Sequence, residues 1–312
     1  MNLNLFTTEL EGRQSTGMPH RAFVSVSYEG DGSDQPDAKT AAKTIELLRE
    51  HKDEPFFIAA GLVRPHYPMV APQPFFDQYP WASMQLPEMV ENDQQDIPKF
   101  GIPNSTSTKN GIGQYVDNQK RMWAAYYASV TFMDQQVGRI LDELKRLGLE
   151  DNTAVVFISD HGYHLGEHEF WLKSNLHEEV TRVPMIIAAP GCKPGRTQSL
   201  VELVDLYPTA AELAGLPIPT SVQGKSLVPV LADPQQAVRT AALSLFKKGN
   251  ALRTENFAYI RYTDGTEELY DMRQDPEQFQ NLAPNPDYQN TCQAMSSQLD
   301  QRMAEAGVDQ KK

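Results

Sequence analysis

Asp160 and His161 stand side by side directly after a short apolar run, and a lysine, Lys173, follows on the next stretch of chain. A carboxylate is a hard oxygen donor that suits a divalent cation, and an imidazole can be a further ligand or can donate to a bound oxyanion. A lysine ammonium can neutralise an anionic substrate. These residues indicate a site for a metal and an anion, although a turn-capping aspartate beside an ordinary loop histidine would show the same pattern.

The apolar run at residues 154–158 is the element that would position this pair. It is short and rich in β-branched and aromatic residues, which predicts a strand buried on both faces of a parallel sheet. Ligands of open α/β sheets bind just beyond the carboxyl ends of such strands, and Asp160 and His161 lie at that end.

Helical and strand patterns alternate along the rest of the chain. Helices are predicted at residues 37–50, 118–147, 204–214 and 288–303. Further strands are predicted at residues 55–62, 183–189, 241–246, 256–262 and 267–270. Asp34 or Asp37 is placed to cap the first helix, and Asp264-Gly265 predicts a hairpin turn. The apolar stripe predicted for the long helix is Met122, Tyr126, Val130, Met133, Val137, Ile140, Leu144 and Leu147.

This order of elements predicts an α/β protein with a mixed or parallel sheet between helices. The main part is expected to occupy residues 1–235, and residues 236–312 are expected to form a small α+β subdomain with an antiparallel sheet and a terminal helix. Residues 65–114 are rich in Pro, Gly, Asn, Ser and Thr and predict a long loop over the site, in which Trp81 offers a ring-stacking surface.

Composition excludes several classes of function. The 312 residues carry a formal net charge of -13, which argues against non-specific nucleic-acid binding because that requires a basic surface. The two cysteines define neither a disulfide framework nor a zinc site. No apolar run reaches the roughly 18 residues of a membrane span, and residues 1–13 lack the basic start and apolar core of a signal peptide.

Four ordered blocks of sequence carry a resemblance to one enzyme family. They are the strand and turn PFFIAAGLVRPHYPMVAPQPFFDQYP, the helix AYYASVTFMDQQVGRILDELKRLGL, the segment AVVFISDHGYHLGEHEFWLK, and the C-terminal RTENFAYIRY with ELYDMRQDPEQFQNLA. Together they resemble the sulfatases of the alkaline-phosphatase superfamily, and most of all iduronate-2-sulfatase and its bacterial relatives. The resemblance extends over residues 23–283 and implies an alkaline-phosphatase-like fold.

The resemblance also implies roles for individual residues. Asp160 and His161 match the second half of the family's metal site, which usually holds Ca²⁺, and Lys173 matches a sulfate-binding lysine. His66, between Pro65 and Pro68, matches a histidine that contacts sulfate and can assist the leaving group. The expected substrate is a sulfated sugar or glycan, as in glycosaminoglycan degradation. Possible further substrate contacts are Arg64, His164 and His168.

The chain departs from the family at the nucleophile. Sulfatases begin with an Asp-Asp strand and a Cys/Ser-x-Pro-Ser/Ala-Arg motif, whose first residue becomes formylglycine, and neither is present here. Residues 192–196, CKPGR, imitate that motif but have Gly where it needs Ser or Ala, so a turn with an incidental cysteine is favoured. The chain is therefore expected to be a fragment that is inactive alone, either a truncated product or a partner of a separately encoded N-terminal half.

Two other functions are compatible with the same residues. One is a phosphodiesterase or phosphonate hydrolase of the same superfamily, whose metal site would usually need more His and Asp ligands. The other is a non-catalytic remnant that binds sulfated glycans, which the negative net charge of the chain does not favour. Export to the periplasm or the cell exterior is implied by the family alone.

Overall fold

The computed structural model describes residues 2–4 and 23–308. The signal-peptide prediction for residues 1–13 therefore lies outside the described residues, apart from residues 2–4. The chain divides into two compact units. One comprises Met1–Glu88, Ser105–Thr153 and Leu165–Leu172, as far as these are described, and the other comprises Met89–Asn104, Ala154–His164 and Lys173–Lys312.

Helices and strands alternate in both units. The strands are β1 (Asn2–Asn4), β2 (Val24–Tyr28), β3 (Met69–Pro72), β4 (Val155–Ile158), β5 (His164–Leu165), β6 (Trp171–Leu172), β7 (Met185–Ala188), β8 (Ala241–Phe246), β9 (Gly249–Thr254), β10 (Phe257–Tyr262) and β11 (Glu267–Asp271). The α-helices are α1 (Pro36–Glu50), α2 (Gln73–Phe76), α3 (Ser107–Asn110), α4 (Val116–Arg146), α5 (Glu178–Thr181), α6 (Leu206–Leu213), α7 (Val228–Ala232) and α8 (Gln289–Glu305).

The first unit is built on a three-stranded sheet in which β2 is central. β1 pairs with it antiparallel and β3 pairs with it parallel. Phe132 of α4 packs with Ala38 of α1 and Ala71 of β3 in a buried cluster, because these side chains are apolar and face one another. Arg49 of α1 donates to Glu143 of α4 at 2.7 Å, which fastens the two helices.

Helix α1 confirms the predicted helix, but its predicted cap is wrong. The N-cap residue is Gln35, which makes no side-chain capping bond, and Pro36 occupies the first turn, where its missing N–H costs nothing. Asp37 is buried and accepts from the backbone N–H groups of Val63 and Arg64 instead, at 2.7 and 3.0 Å. This carboxylate stabilises a turn 26 residues away rather than its own helix.

The strand predicted at residues 55–62 is also wrong. Within the described residues this segment pairs with no strand, since β1 and β3 already occupy both sides of β2. Phe57 is accordingly 85% exposed. An apolar run becomes a strand only where a neighbour completes its backbone hydrogen bonds.

Helix α4 confirms the predicted long helix but turns a different face inward. Its buried residues include Met122, Ala125, Ala128, Phe132 and Gln136. Most of the predicted stripe is half-buried, since small side chains allow closer packing on the adjacent face.

In the second unit, β4 pairs antiparallel with β7, so the predicted burial in a parallel sheet is wrong. Its side chains alternate between half-buried and exposed, and Val156 and Ile158 are 40% and 39% exposed. A two-stranded ladder leaves one face uncovered, which gives this period of two.

The C-terminal antiparallel sheet is confirmed, with strand order β11-β10-β9-β8. Asp264 and Gly265 form the predicted turn between β10 and β11, where Gly265 has φ +83°. Strand β9, between β8 and β10, was not predicted. Helix α8 packs Leu299, Cys292 and Met295 onto this sheet.

No helix in residues 23–308 is long and apolar enough to cross a bilayer. The predicted domain boundary after residue 235 stays a prediction.

Candidate functional site

Asp160 and His161 follow the end of β4, and Asp160 is exposed whereas His161 is half-buried. The Asp160 side chain is 86% exposed and the His161 side chain 31%. The His161 backbone N–H donates to Asp160 Oδ1 at 3.1 Å, and His161 Nε2 lies 3.5 Å from Oδ2. The Ser159 hydroxyl donates to the His161 carbonyl at 2.8 Å, which fixes the backbone at this point. The carboxylate is thus held in place and open to solvent.

The hydrogen bonds of His161 assign its tautomer. Nδ1 lies 2.8 Å from the Gly162 carbonyl oxygen, which can only accept, so Nδ1 carries the proton. Nε2 lies 2.6 Å from Lys173 Nζ, and an ammonium can only donate. His161 is therefore a neutral imidazole whose Nε2 lone pair accepts from Lys173. The structure brings together three of the predicted site residues: Asp160, His161 and Lys173.

Gly162 explains the third position of the Asp-His-Gly sequence. A Cβ at this residue would overlap the carbonyl oxygen of Glu179 and lie 2.9 Å from its carbonyl carbon. The close approach allows two backbone hydrogen bonds of 2.8 Å, from Gly162 N–H to the Val180 carbonyl and from Tyr163 N–H to the Glu179 carbonyl. Glycine is required here by space, since no other residue lets the two backbones approach.

The described residues offer only part of a metal site. Asp160 and His161 supply one carboxylate and one imidazole, whereas calcium takes roughly six to eight oxygen ligands. In residues 2–4 and 23–308, no group of three or more His, Cys, Asp or Glu could hold an ion. The imidazole lone pair that a metal would need is also the one that accepts from Lys173. This donor set is compatible with a divalent cation only if further ligands are added.

Arg64 and His66 lie in the first unit, on a tightly bonded turn. Arg64 Nη1 donates to the carbonyl oxygens of His66 and Pro68, both at 2.8 Å, and burial lowers the pKa of its guanidinium. His66 is exposed, and its Nδ1 lies 2.7 Å from the Tyr67 carbonyl oxygen. Nδ1 is therefore the protonated nitrogen, and His66 can donate from Nε2 only as an imidazolium. Arg64 holds the shape of the turn that carries His66.

His164 and His168 are both buried, at 0% and 1% exposure. Their predicted substrate contacts stay predictions, and neither ring is open to a ligand in the described structure. His168 has φ +56°, and Glu167 accepts from the Leu165 N–H at 2.6 Å, so these residues shape the loop before Lys173. Cys192, which opens the motif-like CKPGR segment, lies in a turn after β7, where its backbone N–H donates to the Ala189 carbonyl.

Three buried residues that the sequence does not single out form a hydrogen-bonded group next to the Lys173 segment: Asn175, His177 and Glu268. The amide Nδ2 and Oδ1 of Asn175 lie 2.9 and 3.1 Å from His164 Nε2, and Oδ1 also accepts from the His177 N–H at 3.4 Å. His177 Nε2 donates to Glu268 Oε2 at 2.8 Å, and both side chains are fully buried. A signal for this pair is absent from the sequence because the partners lie 91 residues apart.

The hydroxyl groups of Tyr262 and Tyr270 also donate to Glu268. Burial acts to raise the pKa of Glu268, but His177 and the two tyrosines outweigh it, so the pKa lies below its usual value. Burial and the Glu268 charge raise the pKa of both tyrosines. The carboxylate is thus kept ionised inside the protein by three donors.

The sequence model of the family described as Sulfatase matches residues 6–216, about two thirds of the chain. The chain belongs to the sulfatase family. A second sulfatase model, described as N-sulphoglucosamine sulphohydrolase, C-terminal, matches residues 166–305. A sulfatase of Formosa agariphila is 36% identical over 271 residues, covering 85% of this chain and 53% of the relative. This sulfatase chain spans about half the length of the curated relatives it matches.

Solved structures confirm the fold class of this sulfatase. A phosphonate monoester hydrolase from Silicibacter pomeroyi superposes with a TM-score of 0.80 at 25% identity, covering 89% of this chain and 61% of the other. A protein solved with its substrate, D-glucosamine-2-N,6-O-disulfate, superposes with a TM-score of 0.76 at 22% identity, covering 88% and 71%. The latter shows the fold alone.

Proposed function

We propose that this chain forms part of a sulfuric ester hydrolase that acts on a sulfated sugar, in the manner of iduronate-2-sulfatase. The observation that carries the proposal is the contact of Lys173 Nζ with His161 Nε2, beside the exposed Asp160 carboxylate. A fixed ammonium next to a hard oxygen donor suits an anion bound together with a cation. The disulfated glucosamine bound by one structural neighbour supports a sugar as the substrate class.

Each residue has a separate task in this proposal. Lys173 binds a sulfate oxygen, and His66 contacts sulfate or assists the departing sugar alcohol. Asp160 and His161 are ligands of a divalent cation, proposed to be Ca²⁺, with further acidic ligands from a segment absent from residues 23–308. When bound, the cation would lower the cost of the negative charge that develops on sulfate.

The 312 residues alone are proposed not to turn over sulfate esters. The Cys/Ser-x-Pro-Ser/Ala-Arg nucleophile is missing, and loss of a nucleophile from a cooperating catalytic unit costs roughly several powers of ten in rate. A segment carrying that motif, in the same or a separate polypeptide, would complete the site. The proposed surroundings are periplasmic or extracellular.

Binding of inorganic sulfate tests the site without requiring turnover. Titration of the chain with sulfate, followed by the ¹⁵N resonances of the His161 ring, should shift these signals in the wild type. Lys173→Ala should weaken the binding about tenfold, because a hydrogen bond from a charged group is lost. Lys193→Ala, on the exposed turn after β7, is the matched control and should leave the affinity unchanged. An unchanged affinity in Lys173→Ala would exclude the proposed site.

Activity is tested with a 2-sulfated uronic-acid disaccharide and calcium. The pure chain should give no more product than its Asp160→Ala variant. Turnover above that control would show that the missing nucleophile is not needed and would refute the proposed inactivity.

A phosphonate or phosphodiester hydrolase is the second candidate, favoured by the likeness to the phosphonate monoester hydrolase. Competition separates the two. Methylphosphonate should displace sulfate from Lys173 only weakly if the site prefers sulfate, and displacement at lower concentration than sulfate itself would favour the second candidate.

A further inference from the structure

A short buried segment, residues 175–177, follows Lys173 directly and anchors it. Asn175 and Leu176 are each 5% exposed, and His177 is fully buried. Leu176 packs in a cluster with Ile260 and Tyr262 of β10. Lys173 lies half-exposed two residues before this segment. Because residues 175–177 are all buried, they restrict how far the Lys173 backbone can move.

The same stretch of chain also holds the loop of Asp160 and His161. His177 precedes α5, and the carbonyl groups of Glu179 and Val180 in that helix accept from Tyr163 and Gly162. The loop of His161 is therefore hydrogen-bonded to α5, and the loop of Lys173 continues through residues 175–177 into the same helix. The contact between Lys173 Nζ and His161 Nε2 depends on where that segment sits.

The position of the segment is set by Glu268 in β11. Its carboxylate is fully buried and accepts from His177 at 2.8 Å and from Tyr270 at 2.5 Å. A Cβ at Gly101 would overlap Glu268 Oε1, so the cavity around the carboxylate has no room for another side chain. A buried carboxylate with three donors is rigid, since any displacement would leave a charge without partners.

We propose that His177 and Glu268 are positioning residues for Lys173, through which the C-terminal sheet sets the geometry of anion binding. The inference rests on the proposed sulfate-binding role of Lys173. The hydrogen bond from His177 to Glu268 holds the anchor segment, and the anchor segment holds Lys173 against His161.

The test is sulfate affinity, measured by titration of the full chain with inorganic sulfate in three variants and in the same variants combined with Lys173→Ala. His177→Phe keeps the ring volume but removes the side-chain hydrogen bond to Glu268, and Glu268→Gln keeps the shape but removes the charge. Tyr262→Phe is the matched control, because it removes one donor from Glu268 and leaves the His177 bond intact. Each variant is combined with Lys173→Ala, and folding is checked by circular dichroism.

His177→Phe should weaken sulfate binding about tenfold, a loss common when a group that orients a ligand-binding residue is removed. Glu268→Gln should weaken it in the same direction, whereas Tyr262→Phe should lower stability with an affinity within about twofold of the wild type. In the Lys173→Ala background neither change should weaken binding further, because the effect passes through Lys173. The His161 ring signals should lose the signature of an acceptor at Nε2.

Several outcomes would overturn the inference. They are an unchanged affinity in folded His177→Phe or Glu268→Gln, an equal loss in Tyr262→Phe, or a further loss in the Lys173→Ala background. Should His177→Phe not fold, Glu268→Gln decides the question. Failure of the sulfate site itself would appear separately, as an unchanged affinity in Lys173→Ala alone.

Discussion

Replacing Gly162 by alanine should damage the site by a steric route that can be calculated from the structure. The added Cβ would overlap the Glu179 carbonyl oxygen, which is backbone and cannot rotate away. The loop must then move, and the hydrogen bonds of Gly162 N–H and Tyr163 N–H, both 2.8 Å, are lost. Two such bonds contribute about 1–3 kcal/mol, and overpacking costs about 1–3 kcal/mol more. We expect a loss of more than about 2 kcal/mol in the free energy of unfolding.

The assay is urea denaturation followed by circular dichroism, together with amide hydrogen exchange at Tyr163. Gly138→Ala is the matched control, because a Cβ there meets nothing within 4 Å and the residue lies inside α4. That change should stabilise the chain by about 1 kcal/mol, the helix-propensity difference between glycine and alanine. A Gly162→Ala variant within about 0.5 kcal/mol of the wild type, with Tyr163 still protected, would refute the reasoning.

Two further changes test the structure away from the site. Arg239 forms a buried ion pair with Asp205, whose Oδ1 lies 2.6 Å from Nη2, so Arg239→Met should destabilise the chain by about 3–5 kcal/mol in urea denaturation. A loss below about 1 kcal/mol would contradict this. Hydrogen bonds from Arg146 and Arg49 lower the pKa of Glu143 from 4.5 to about 2. A lowered pKa contributes stability above the unfolded value, and this contribution is lost as the pH falls from about 4.5 towards 2. Thermal melts should therefore show Glu143→Gln to be less sensitive to acid over that range than the wild type, and equal sensitivity would contradict the assignment.

Local sequence pattern was sufficient to predict the longer helices but not the short helices α2, α3, α5 and α7. Apolar residues spaced three or four apart predict α1 and α4 to within two residues at each end, because each helical residue bonds to near neighbours in the chain. The apolar run at residues 55–62 shows where that reasoning stops. Its composition suits a strand, yet it forms none, since a strand needs a partner that the run itself does not specify.

The same limit applies to the candidate site. Asp160, His161 and Lys173 can be selected from their types, their place after a strand and the family resemblance. The pairing of β4 with β7 and the bond from His177 to Glu268 cannot, because they join residues far apart in sequence.

The sequence by itself determined the family, the order of the elements and the three residues that point to an anion and a metal. Only the tertiary structure decided that His161 Nε2 accepts from Lys173 and that the Glu179 backbone requires glycine at position 162. It also decided that the buried Glu268 carboxylate accepts from His177, close in sequence to Lys173. The physical reason is that residue type fixes what chemistry a side chain can do, whereas protonation, close approach and burial depend on which distant residues fold against it.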